Sequence, residues 1–203
     1  MSKTDRSEQA SLEGYEVLLC VTGGIACYKC ADLTSKLVQA GAGVTVAMTD
    51  SAQQFITPLT FQTLSARQVY TSVWQSSREY DTQHISLTDL ADLMVVAPAT
   101  ANIMAKLAHG IADDLVSSLA LSSHGQCDIL LAPAMNTRMW EAPATQDNLQ
   151  RLLGWGVHTI GPNEGFLACR SVGRGRMAEP AEILSDISRL LVRKPAKKHH
   201  TAS

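Results

Sequence analysis

No apolar run in this 203-residue chain approaches the roughly 20 residues that a helix needs to cross a bilayer. The first fourteen residues are polar and mixed in charge, and without an apolar stretch they do not make a secretory signal. Neither sign of charge dominates. The formal net charge is −2, which gives no general reason to expect nucleic acid or an anionic membrane as a partner. Cysteine is sparse, odd in number and scattered: Cys20, Cys27, Cys30, Cys127 and Cys169 do not have the spacing of a disulfide framework. Cys27 and Cys30 form a Cys-x-x-Cys, but no second pair completes a zinc site. The pair reads as structural, a thioredoxin-like role having no further support around it, and no metal is expected. These absences together point to a reducing, cytoplasmic setting. No internal repeat is present.

What remains is the composition of an ordinary soluble domain, 45% hydrophobic and 18% charged, long enough to bury a substantial core. Short apolar runs alternate with longer helical patterns. Strands are predicted over residues 15–21, 44–48, 93–97, 128–132 and 157–160. Helices are predicted over residues 25–40, 59–64, 101–107, 114–121 and 144–153, with a last one after Pro180, a residue suited to a first helical turn. Gly41 and Gly43 stop the first helix. Alternation of this kind implies an α/β domain with a doubly wound parallel sheet, helices on both faces and right-handed connections. The domain is expected to span residues 15–192, between a flexible terminus at 1–14 and a basic, fraying tail at 193–203. Residues 76–82 read as a flexible polar loop.

In such sheets ligands bind outside the carboxyl ends of the strands, and the chemically informative residues sit at those ends. The first strand runs into Thr22-Gly23-Gly24-Ile25, where backbone N–H groups before a helix can hold a phosphate. The later glycines of a dinucleotide fingerprint are missing, as is the Gly-Lys-Ser/Thr of a Walker loop, so a mononucleotide is the better match. A plain glycine turn fits the residues equally well. The second strand ends in Thr49-Asp50-Ser51, a helix cap or a ligand contact. The third ends in Pro98-Ala99-Thr100-Ala101-Asn102, small residues that let a planar ligand approach, with an N-capped helix as the other reading.

The fourth strand ends in Pro133-Ala134-Met135-Asn136-Thr137-Arg138-Met139-Trp140. Two methionines and a tryptophan are costly to expose, and the Asn136 amide among them can clamp a carboxylate through its N–H groups. A hydrophobic loop packed on the core is the alternative. Glycines at 165, 173 and 175 mark a mobile loop able to close over a substrate, or a bland surface loop. Cys169 is its reactive side chain, and Arg170, Arg174 and Arg176 are cations near enough in sequence to favour a thiolate. His84, followed by Ile85, Leu87 and Leu90, becomes a base only if the fold brings it to the sheet edge; His109, His124 and His158 have no comparable context.

Several of these segments occur together, in the same order, in one family. Pro98-Ala99-Thr100-Ala101-Asn102-Ile103 is similar to a Pro-Ala-Ser-Ala-Asn-Thr motif, and Pro133 to Trp140 fits Pro-x-Met-Asn-x-x-Met-Trp at every fixed position. Leu167-Ala168-Cys169 with Gly173, Gly175 and Met177 looks like a substrate-recognition clamp, and His84-Ile85 like an active-site histidine motif. Over roughly residues 15–192 the chain resembles the homo-oligomeric, flavin-containing cysteine decarboxylases, whose branches include the phosphopantothenoylcysteine and the lantibiotic peptidyl-cysteine decarboxylases.

The resemblance implies a Rossmann-like, flavodoxin-like fold and FMN as cofactor. Gly23, Gly24, Ile25, Thr49, Ser51, Thr100, Ala101, Asn102 and Ala134 would contact FMN. His84 would be the base, Asn136 would hold the substrate carboxylate with Met135 and Ala168 beside it, and Cys169 would donate a proton late in the reaction. The implied activity is a carboxy-lyase reaction of coenzyme A biosynthesis, from 4'-phospho-N-pantothenoylcysteine to 4'-phosphopantetheine, in a homotrimer or a dodecamer. The peptidyl branch would instead release an enethiol. A regulatory flavoprotein of the same fold tends to carry an acidic tail, whereas this one is basic, and a prenyl-transferring relative would lack the Met-Asn-x-x-Met-Trp segment. Three positions depart from the pattern: Thr100 stands for serine and keeps the hydroxyl, Ile103 stands for threonine, and Arg170 stands where glycine is usual.

Overall fold

Strands and helices alternate along the chain in the computed structural model, which describes residues 11–74, 83–168, 170 and 172–197, residues 83 and 84 as backbone alone. Strand β1 (Glu16–Val21) leads through α1 (Cys27–Gln39) to β2 (Gly43–Met48). Two helices, α2 (Asp50–Gln53) and α3 (Pro58–Ser65), precede a two-residue strand β3 (Val69–Tyr70). Helix α4 (Gln83–Leu90) then brings the chain back to β4 (Leu93–Ala99). Next come α5 (Ala101–His109), α6 (Leu115–Ser122) and β5 (Asp128–Pro133), then α7 (Thr137–Trp140), α8 (Pro143–Gly154) and β6 (His158–Thr159). A hairpin of β7 (Asn163–Phe166) and β8 (Val172–Arg176) precedes the last helix, α9 (Pro180–Leu191).

The main sheet has the order β3-β2-β1-β4-β5-β6 with every pair parallel. This is the Rossmann order; without the short edge strand β3, the other five follow the flavodoxin-like order. Alternation along β1 builds two cores. Val17, Leu19 and Val21 face the cluster that includes Leu33 and Leu37 of α1 and Ile183 and Ile187 of α9. Leu18 and Cys20 face the opposite cluster, with Met104 of α5, Leu119 of α6 and Leu149 of α8. Because both faces are covered, β4 is buried at all seven positions and reads as one apolar run. In α9, Ile183, Leu184, Ile187, Leu190 and Leu191 form a buried stripe at helical spacing, each such side chain stabilising by roughly 1.5–3 kcal/mol. Among the described residues no helix is long and apolar enough to cross a membrane.

The structure departs from the sequence reading at particular places. Helix α1 begins at Cys27, not at residue 25, so Ile25 belongs to the turn and is exposed. The run at 157–160 keeps only two residues in strand pairing. The stretch expected as a mobile loop contains the hairpin: Glu164 pairs with Arg174, and Phe166 with Val172. Leu12 is fully buried, and its N–H donates to Ala40 O at 2.8 Å, so the packed region begins before residue 15.

The first part of the basic tail is also held. Lys194 pairs with Asp128 at 2.9 Å, and the Tyr15 hydroxyl donates to Lys194 O. The Lys197 N–H donates to Asp92 Oδ1 at 2.8 Å, and its Nζ donates to Asp89 O at 3.0 Å, at the carboxyl end of α4, where backbone carbonyls lack helical partners. Asp92 uses its other oxygen for the Glu16 N–H at 2.7 Å. The loop expected at 76–82 lies outside the described residues.

Candidate active site

The sheet order reverses between β1 and β4, and a cavity of about 910 Å³ opens at the carboxyl ends of the strands there. Small-molecule sites measure roughly 300–1,000 Å³. Four turns, following β1, β2, β4 and β5, supply much of its wall, and the segment from Phe166 to Met177 contributes to the rest.

The first two turns touch. A Cβ on Gly23 would lie 2.3 Å from Ser51 Cβ and 3.0 Å from the Ser51 carbonyl carbon, so only glycine permits the contact. The buried Thr22 hydroxyl donates to Pro98 O at 2.5 Å and joins the β1 turn to the β4 turn. Helix α1 starts from Ala26, which has no capping side chain; its Cys27 and Lys29 N–H groups bond Gly24 O at 2.9 Å and Ala26 O at 3.0 Å, so the Gly23-Gly24-Ile25 turn leading into the helix is the part that suits an anion. The Thr49 and Thr100 hydroxyls accept from the N–H groups of Ala52 and Ile103, each at 3.2 Å. Both are therefore caps, and both also line the cavity. Gly24, Ile25, Ser51, Ala101, Asn102 and Ala134 line it too. A cradle closed to a Cβ, beside three helix starts and the hydroxyl-bearing side chains of Thr22, Thr49, Ser51 and Thr100, fits a phosphate-bearing group with a flat apolar part.

The β5 turn resolves the odd segment. Trp140 is buried in the core under α8, while Met135 and Met139 line the cavity. Asn136 caps α7: its Oδ1 accepts the Arg138 N–H at 2.8 Å, which fixes the rotation of the amide and sets its NH2 on the other side. Asn136 also lines the cavity. The Met135 N–H donates to Gly175 O at 2.9 Å and ties this turn to β8. The contact is close. Gly175 has φ 141°, and a Cβ there would lie 2.2 Å from Met135 O. Ala168 reaches the cavity from the segment between the hairpin strands. Arg170, the departure from glycine, has a left-handed φ of 64°, which glycine adopts at no steric cost.

Every cofactor position expected from the sequence therefore borders one cavity, as do Met135, Asn136 and Ala168. The His84 side chain and all of Cys169 lie outside the described residues. Sequence reading missed Lys29, Lys106 and Asp114, which also line the cavity, as does Arg176, expected only as a cation near Cys169. No local pattern marks them, because each charge is matched by a partner outside its own motif. The Cys27 and Cys30 thiols on either side of Lys29 donate to Thr22 O at 3.0 Å and Ala97 O at 2.9 Å. Burial pushes both thiols above the ordinary cysteine range, so the pair packs α1 against the strand ends.

Lys106 lies 2.6 Å from both Asp113 and Asp114. Burial alone would lower Lys106, but the bonds to the two aspartates outweigh it and hold it above the usual lysine value. Burial alone would raise Asp114, but bonds from Lys106 and Ser117 outweigh it and hold the carboxyl below its usual range. Asp114 also caps α6 in a reciprocal capping box with Ser117. A depressed carboxyl contributes stability above its unfolded pKa and loses it as pH falls through the folded value. Asp114→Ala is expected to cost about 1 kcal/mol at neutral pH. The gap to the parent should shrink in acid, as urea melts at about pH 7 and about pH 3 would read.

The family model described as Flavoprotein matches residues 5–192. The chain is 50% identical over 173 residues to the "Coenzyme A biosynthesis bifunctional protein CoaBC" of Bacillus subtilis (strain 168), covering 85% of this chain and 42% of that protein. It thus spans under half the length of that relative. It is 44% identical over 176 residues to the "Probable phosphopantothenoylcysteine decarboxylase" of Streptococcus mutans serotype c, covering 87% of this chain and 98% of that one. Among solved structures, a PPC decarboxylase in which serine replaces a cysteine, complexed with pantothenoylaminoethenethiol, superposes with a TM-score of 0.78 at 31% identity. That match covers 90% of this chain and 100% of the other. The FMN binding protein AtHal3 superposes with a TM-score of 0.78 at 30% identity and the same coverage.

Proposed function

The chain belongs to the Flavoprotein family, and from that premise we propose that it is an FMN-dependent decarboxylase of 4'-phospho-N-pantothenoylcysteine, yielding 4'-phosphopantetheine for coenzyme A. The observation that carries this reading is the Asn136 amide, fixed by its own backbone bond on the wall of the cavity that the four strand-end turns border.

The residues divide the work. The Gly23-Gly24-Ile25 turn, with Thr49, Ser51, Thr100, Ala101, Asn102 and Ala134, holds FMN. When bound there, FMN would supply reversible hydride transfer, the chemistry by which the substrate thiol carbon becomes a sink for the electrons of the breaking C–CO2 bond. Asn136 donates to the carboxylate and keeps the bond to be broken in one pose, with Met135 and Ala168 beside it. His84 takes the thiol proton. Cys169 supplies a proton when the enethiol is reduced, so the net reaction releases CO2 without net redox change. Ile25, Tyr28, Met139 and Phe166 are exposed large apolar side chains at the cavity. They support a mouth covered by a second subunit, in a homotrimer or a dodecamer built from trimers.

Purified protein given 4'-phospho-N-pantothenoylcysteine should release CO2 and form 4'-phosphopantetheine, read by mass analysis. Cys169→Ser should accumulate the oxidised enethiol instead. Unchanged phosphopantetheine formation by that variant would remove the role of Cys169. Turnover of peptides ending in cysteine, but not of the phosphorylated substrate, would move the chain to the peptidyl branch.

A further inference from the structure

Lys29 lies in the first turn of α1, only 7% exposed, between the two thiols that fix that helix to the ends of β1 and β4. An ammonium so deeply buried costs several kcal/mol unless it is fully paired. Its partners lie about 150 residues further along the chain. The Nζ donates to Met177 O at 3.2 Å and to Glu179 Oε1 at 2.9 Å. Met177 directly follows β8, and Glu179 is the N-cap of α9. Arg176, the last residue of β8, donates to the same Glu179 oxygen at 2.5 Å. The Lys29 bond, against a smaller effect of burial, holds the Glu179 carboxyl below its usual range.

The carboxyl end of β8 is thus gripped from two walls of the cavity. On one side the Met135 N–H, at the end of β5, bonds Gly175 O at 2.9 Å. On the other, Lys29 reaches from the helix that the Gly23-Gly24-Ile25 turn leads into, beside the cavity. The β8 strand also lies against α7, where a Cβ on Gly173 would come within 2.5 Å of Thr137 Oγ1. The hairpin therefore has a fixed side, through β5 and α7, and a side that depends on where α1 sits.

We propose that Lys29 is a positioning residue that couples occupancy of the α1 cradle to the order of hairpin β7–β8. The inference rests on the flavin reading given above. FMN seated on the turn that leads into α1 would steady the helix, and Lys29 carries that constraint to Met177 and Glu179 at the root of the hairpin. Coupling of this kind is reciprocal, so a substrate that orders the hairpin also tightens the hold on FMN.

Hydrogen exchange of peptides covering β7 and β8 tests it, in the full chain with and without FMN. In the parent, FMN should slow exchange there by about 10-fold, within the range typical of coupled sites. Lys29→Met should still show bound-flavin absorbance but lose the FMN-dependent slowing, and Lys29→Arg should restore part of it. Glu179→Gln, which keeps Lys29 in place and weakens its partner, should reduce the slowing as well. Full FMN-dependent slowing in flavin-loaded Lys29→Met, or in Glu179→Gln should Lys29→Met not fold, would overturn the coupling. A parent protein that binds no FMN would overturn the cofactor reading, and the coupling with it. FMN binding with intact turnover but equal exchange in both states would overturn the coupling alone.

Discussion

Asn136→Asp is expected to lower turnover by about 1,000-fold while leaving the fold and the flavin content intact. The substitution separates two duties of one side chain. As a cap, Asn136 accepts the Arg138 N–H through Oδ1, and aspartate serves as well in that position. As the proposed carboxylate holder it donates through its NH2, and aspartate has no such donor. It also sets a negative oxygen where the substrate carboxylate belongs, so attraction becomes repulsion. Asn136→Ala makes the contrast, losing the donor and also the cap, with about 1 kcal/mol of stability. Carbon dioxide release, flavin absorbance and a thermal melt on the three proteins read out both duties. Aspartate-variant turnover within tenfold of the parent would remove Asn136 from the reaction.

Gly23→Ala is expected to weaken FMN binding by roughly 30- to 150-fold. The added methyl would sit 2.3 Å from Ser51 Cβ and 3.0 Å from backbone at the same residue, so the two turns must separate. Overpacking of this kind costs about 1–3 kcal/mol, and 2–3 kcal/mol corresponds to that loss of affinity. Both turns line the cavity, so their separation moves Gly24 and Thr49 together. Gly24→Ala is the comparison: a Cβ there meets only Pro98 and Thr100 side-chain atoms at 3.6 Å, so the two turns stay together and any loss reads the methyl against FMN itself. Titration of FMN fluorescence on both variants decides the matter. Equal affinities would mean that the contact between the turns does not shape the cradle.

The part of the site built on strand ends was legible in the sequence because local rules write it. A strand buried on both faces must be apolar throughout, so each of β1, β2, β4 and β5 announces where it stops. The polar residues just beyond each stop then fall on one edge of a parallel sheet. The hairpin was not legible for the opposite reason. Its glycines suggest mobility, but Gly175 is there because β8 runs against Met135, and closeness between segments 40 residues apart leaves no local trace. Lys29 and Glu179 are unremarkable alone, and only the fold makes them a pair. Strand β3 was too short to show a period. The basic tail looked loose because Asp92, Asp89 and Asp128, whose regions it meets, are distant in sequence.

That stitching of residues 194 and 197 has a practical side. Its anchors stand at the starting ends of the sheet: Asp92 precedes β4, and Asp128 is the first residue of β5. The cavity opens at the finishing ends of the same strands. Anything fused or immobilised beyond Lys197 therefore leaves from the pole farthest from the mouth. A surface or carrier attached there would lie clear of the mouth, while one attached through the hairpin, which borders it, would not.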